Sequence, residues 1–75
     1  MKETVLEILM EIRPDIDFEN ETGLVSEGLL ESFDIMSLIS ELSEEFDVEI
    51  TPKDLIAENF NSVEAICKLI ERLVC

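Results

Sequence analysis

Gly28-Leu29-Leu30-Glu31-Ser32-Phe33-Asp34-Ile35-Met36 marks the point where an irregular acidic segment gives way to the most regular helical pattern in the chain. Beyond it Ile35, Leu38, Ile39, Leu42 and Phe46 recur at helical spacing, which predicts a helix from about Ser32 to Phe46 with these side chains on its core face. Ser32 stands at the start of that helix and is a preferred N-cap residue type. Unpaired backbone N–H groups and the positive end of the helix dipole collect there, so a phosphate on its hydroxyl would meet a favourable field.

Before this stretch, a first helix is expected from about Glu3 to Arg13, with Val5, Leu6, Leu9 and Ile12 on one face. Pro14 ends it, because proline has no N–H for the ladder and disfavours helical geometry in the residue before it. Residues 14–31 are then a long connection, which Ile16, Phe18, Leu24, Leu29 and Leu30 are expected to pin to the core. Its Asp15, Asp17 and Glu19 have the spacing of a calcium loop. Asn20 stands where such a loop needs glycine, and Ser26 where it needs the bidentate glutamate, so a specific calcium site is rejected.

After the central helix, Phe46-Asp47-Val48-Glu49-Ile50 alternates as a strand does, but no second strand is in sight, and it is read as an anchored loop. Thr51-Pro52-Lys53-Asp54 has the chemistry of a helix start and predicts a short helix through about Glu58, placing Leu55 and Ile56 against the core. Asn61 or Ser62 is expected to cap the last helix, whose apolar stripe is Val63, Ile66, Ile70, Leu73 and Val74. Residues 1–75 thus form a single all-α domain. It is a small four-helix bundle with three longer helices, one short helix and a long first loop.

Composition limits the function. A chain of 75 residues has one small core, which leaves little room for an enzyme cleft of its own, and it contains no histidine. Its net charge is -14, and no lysine or arginine stands between Arg13 and Lys53. Such a field repels nucleic acid and anionic lipid and attracts basic partners. No apolar run is long enough for a membrane span, and Met1-Lys2-Glu3-Thr4 lacks a signal-peptide layout, so a cytoplasmic monomer is expected. Cys67 and Cys75, if on one helix, lie roughly 12 Å apart, beyond disulfide reach. With no histidine and no Cys-x-x-Cys, a metal site is not expected.

The run from Glu27 to Ile39 resembles the attachment site of the acyl carrier protein family, in which a serine carries a 4′-phosphopantetheine arm. That family usually has Asp-Ser-Leu here, and D-alanyl carrier proteins have Asp-Ser-Phe after Gly-Leu-Leu. This chain keeps the acid, one methylene longer, in Glu31-Ser32-Phe33. The resemblance extends from Val5 to Val74 and includes Glu44-Glu45-Phe46-Asp47 and the proline-opened third helix.

The resemblance implies the same bundle and a non-enzymatic carrier role. A phosphopantetheinyl transferase would move the arm from coenzyme A to Ser32, and the arm's thiol would hold an acyl or aminoacyl group as a thioester. Loading and processing enzymes with basic docking surfaces would be the partners. Phe33, Met36, Ser37, Ser40, Glu41 and Glu44, on the outer face of the central helix, resemble the family's partner-recognition surface, and Glu31 and Asp34 would meet basic groups on the transferase. Phe33 and Met36 also suit a second role, covering the loop before them. A different class of function fits the same composition: an unmodified acidic interaction module, with Phe33 and Met36 as anchors in a basic, apolar groove.

Overall fold

The computed structural model describes residues 1–74. Helices α1 (Lys2–Ile12), α2 (Ser32–Phe46), α3 (Ala57–Phe60) and α4 (Val63–Val74) follow in order, with a 3₁₀ turn at Pro52–Asp54 and no strand among the described residues. Helix α1 packs on α2 and α4, and α3 packs on α4. The core joins Val5, Ile8 and Leu9 of α1, Leu38 and Leu42 of α2, Phe60 of α3, and Val63, Ile66, Leu69 and Ile70 of α4. The all-α bundle expected from the sequence is the observed fold.

Helix α2 has the predicted bounds, because apolar period and flanking chemistry agree at both ends. Its C-terminal boundary is set by Asp47, whose φ of 52° is left-handed and whose N–H returns to Ser43. Of its expected core face only Leu38 and Leu42 are fully buried; Ile35, Ile39 and Phe46 are half-buried. Helix α1 ends at Ile12, one residue earlier than predicted. Arg13 is its C-cap, and the guanidinium leaves the helix end to bind elsewhere.

The long connection is part of the core. Ile16, Phe18, Leu24 and Leu30 are buried, and burying side chains of this size contributes about 2 kcal/mol each. Asn61 holds its turn: the Asn61 carbonyl accepts the Leu24 N–H at 2.9 Å, and its side-chain oxygen accepts the N–H groups of Val25 and Ser26 at 3.0 and 2.9 Å. Asn61 is therefore not the cap of α4. That role falls to Ser62, whose hydroxyl accepts the Ala65 N–H at 3.1 Å.

The third helix departs furthest from expectation. Thr51 and Asp54 form the expected box, but the chain makes only a 3₁₀ turn and resumes as α-helix at Ala57. Leu55 and Ile56 fall in the gap and are 46% and 50% exposed, not in the core. The Asn59 side chain holds this shape by donating to the Asp54 carbonyl at 2.9 Å while accepting from Arg72 at 3.1 Å. In α4, Leu69 is buried and Val74 is exposed, which shifts the expected stripe by part of a turn. Cys67 is a half-buried free thiol, and the reading of Cys75 lies outside the described residues.

Candidate functional site

Ser32 is the first residue of α2 and is exposed. It is not the N-cap. Glu31 holds that place in extended geometry, and its N–H donates to the Asp34 carboxylate at 3.1 Å, so the reciprocal acids at 31 and 34 complete the helix start. The first ladder bond runs from the Ile35 N–H to the Glu31 carbonyl at 3.0 Å, so the amides of residues 32–34 precede the ladder. The Ser26 and Ser62 hydroxyls, by contrast, serve Asn61 and Ala65.

The approach to Ser32 is fixed from two sides. Gly28 turns the chain with φ of +76°, a conformation strained for any residue with a Cβ, and the Leu30 N–H closes on the Leu24 carbonyl at 2.8 Å. From the other side, Arg13 donates through Nη1 to the Leu29 carbonyl at 3.3 Å and to Asp34 Oδ2 at 2.9 Å. Its other edge binds Asp15 at 3.1 Å. These carboxylates, Asp15 first, push the guanidinium further up from its ordinary pKa, so Arg13 is a permanent cation clamped between two acids.

Asp34 was expected on the docking face and is instead turned inward, 9% exposed, because the helix start and Arg13 both need its carboxylate. The other predicted residues stay outward. Glu31, Ser40, Glu41 and Glu44 are exposed, Ser37 is half-buried, and Phe33 and Met36 are 79% and 70% exposed. Phe33 and Met36 are largely open to solvent, and Met36 shares a cleft with Val25 of the preceding connection.

Beside Ser32 opens an apolar cleft of about 270 Å³ between α2 and the segment leading into α3. Val25, Ile35, Met36, Ile39, Leu55, Ile56, Ala57 and Phe60 line it. The exposed Leu55 and Ile56 are therefore its lip, a role hidden in a sequence where they look like core residues. Phe33 does not line this cleft but a separate groove between α1 and α2. The fit to a serine-linked arm is good: an exposed hydroxyl at a helix start for a phosphodiester, and an apolar channel alongside for a flexible chain.

Known proteins are similar to this chain in sequence. Residues 1–70 match the family described as the phosphopantetheine attachment site. D-alanyl carrier proteins of Bacillus cereus and Bacillus anthracis are 35% identical over 74 residues, covering 96% of this chain and 94% of theirs. An unmodified interaction module, the other function its composition allowed, is not favoured. Similarity running through nearly the whole chain places it in the phosphopantetheine attachment site family, as a carrier protein that bears 4′-phosphopantetheine covalently.

Proposed function

We propose that Ser32 is the residue that receives the phosphopantetheine, and that the group carried is a small aminoacyl unit of the D-alanyl kind. The observation that carries the first half is the placement of an exposed serine, free of capping duty, at the first position of α2 and at the mouth of an apolar cleft. The second half is supported by Gly28-Leu29-Leu30 before Ser32-Phe33 and by the name of the Bacillus relatives.

When bound, the group supplies a terminal thiol that holds its cargo as a thioester. The chain's own residues present it. The first-turn amides of α2 and the dipole behind them favour the phosphodiester, Val25, Met36, Leu55 and Ile56 offer apolar surface beside it, and the Arg13–Asp34 pair keeps the helix start in place. Among the described residues no side chain is hydrogen-bonded to the Ser32 hydroxyl as a base would be; we read the protein as a substrate of a phosphopantetheinyl transferase and of loading enzymes, not as an enzyme itself. Glu31, Phe33, Met36, Ser37, Ser40, Glu41 and Glu44 form the surface those basic partners meet. A cytoplasmic monomer suits this traffic, and among the described residues no helix is long and apolar enough to cross a membrane.

The cargo is tested on the phosphopantetheine-bearing protein by intact mass. It is offered D-alanine or a medium-chain fatty acid, each with ATP and the ligase that activates it. Gain of an alanyl unit supports the reading; gain of the fatty acyl group alone overturns the cargo while leaving the carrier role standing.

A further inference from the structure

Residues 23–28, in the last part of the connection before Ser32, are tied to the rest of the fold by one residue. The Asn61 carbonyl accepts the Leu24 N–H at 2.9 Å, its Oδ1 accepts the N–H groups of Val25 and Ser26 at 3.0 and 2.9 Å, and its Nδ2 donates to Ser26 Oγ at 2.9 Å. Among the described residues, nothing else outside the connection hydrogen-bonds to residues 23–28. The turn passes this placement on. The Val25 carbonyl accepts the Gly28 N–H at 3.1 Å, and the Leu24 carbonyl accepts the N–H of Leu30, which stands just before the Glu31 cap, at 2.8 Å. Asn61 also follows Phe60 directly, and Val25, Phe60 and Ser32 all line the α2/α3 cleft. One side chain thus joins two walls of that cleft to the approach of Ser32.

We propose that Asn61 is a positioning residue for the attachment site: it fixes the turn at residues 24–26, and through it the Val25 wall of the cleft and the place of the Ser32 hydroxyl beside that wall. The proposal rests on Ser32 as the attachment residue. The chemistry of the turn selects asparagine. Two adjacent backbone N–H groups need one short acceptor and the Ser26 hydroxyl takes a donor, and a single planar amide supplies both. Alanine leaves those N–H groups to water, which releases the turn while the buried Leu24 and Leu30 still hold the core. Aspartate keeps an oxygen for both N–H groups, and the Ser26 hydroxyl turns to donate to it. A misplaced hydroxyl costs the transfer step and not the docking, because Asn61 makes no hydrogen bond to α2, whose outer face is the proposed docking surface.

The test measures transfer of phosphopantetheine from coenzyme A to the full chain, with kcat and KM for the chain separated, in the parent, N61A, N61D and S62A. N61A should lose roughly tenfold in kcat with KM within about twofold, and N61D should recover to within about twofold of the parent. S62A, which loses the neighbouring cap of α4, should match the parent in both. Amide shifts of the unmodified chain read the same tie without the transferase: N61A should move Val25, Ser26, Leu30 and Ser32, and S62A should leave Leu30 and Ser32 in place. Should N61A not fold, N61Q, whose amide is displaced by one methylene, takes its place with the same expected loss. Equal kcat in the parent and N61A, an equal loss in S62A, or an N61D as slow as N61A would overturn the proposal alone. No transfer to the folded parent would overturn the Ser32 reading and the proposal with it.

Discussion

Arg13 Nη1 lies 2.9 Å from Asp34 Oδ2, joining the end of α1 to the first turn of α2 across the whole acidic connection. Asp34 has little access to solvent, and it also accepts the Glu31 N–H, so its loss leaves two donors without their acceptor. D34A should lower stability by about 1–3 kcal/mol in urea unfolding. R13A should lower it too, and R13A/D34A by less than the sum, because the two residues act as one contact. Additive losses would show that the pair is incidental.

Capping is expected to separate the serines at the two helix starts. Ser62 caps α4, and S62A should cost about 1 kcal/mol. Ser32 has no such duty, since Glu31 and Asp34 complete the start of α2, and S32A should stay within about 0.5 kcal/mol of the parent. Equal losses in thermal or urea unfolding would put the cap back on Ser32.

Much of this arrangement was legible in the sequence, and the exceptions have a common cause. The bounds of α2 and the exposed Phe33 and Met36 follow from local periodicity, and the anchors Phe18, Leu24 and Leu30 from large apolar side chains in an otherwise polar loop, both of which a sequence displays directly. Asp34 was misplaced, and the choice between Asn61 and Ser62 as cap stayed open, because the partners of Asp34 and Asn61 are far along the chain. Nothing near Asp34 announces Arg13, and nothing near Asn61 announces the turn at Val25 and Ser26. Leu55 and Ile56 failed differently. In so short a segment, apolar character alone does not separate a core contact from the lip of a cleft; a 3₁₀ turn that ends after Asp54 settles it.

Acid should weaken the fold at identifiable places. The Thr51 N–H and hydroxyl hold the Asp54 carboxyl below the usual carboxylate range, and the Arg13 guanidinium does the same to Asp15. A carboxyl with a lowered folded pKa stabilises the fold above its ordinary value of 3.8, and that stability is lost as pH falls through the folded value. The melting temperature should therefore drop below about pH 4. D54N, already lacking its share, should show a shallower drop; parallel curves would remove Asp54 from the explanation.

Salt should act in the opposite sense. With a net charge of -14 and no cation between Arg13 and Lys53, repulsion among exposed carboxylates opposes the compact state. Melting temperature should rise from low salt to roughly 0.5 M, where the Debye length is only a few ångströms. An unchanged value across that range would mean that the repulsion is too weak to matter.

Ser32 as the attachment residue is tested most directly by intact mass before and after incubation with coenzyme A, magnesium and a promiscuous phosphopantetheinyl transferase. S32A and S40A are treated alongside, the latter removing another exposed serine of α2. One phosphopantetheine added to the parent and to S40A, and none to S32A with its fold intact, is the expected result. Addition to S32A, or none to the folded parent, would contradict it.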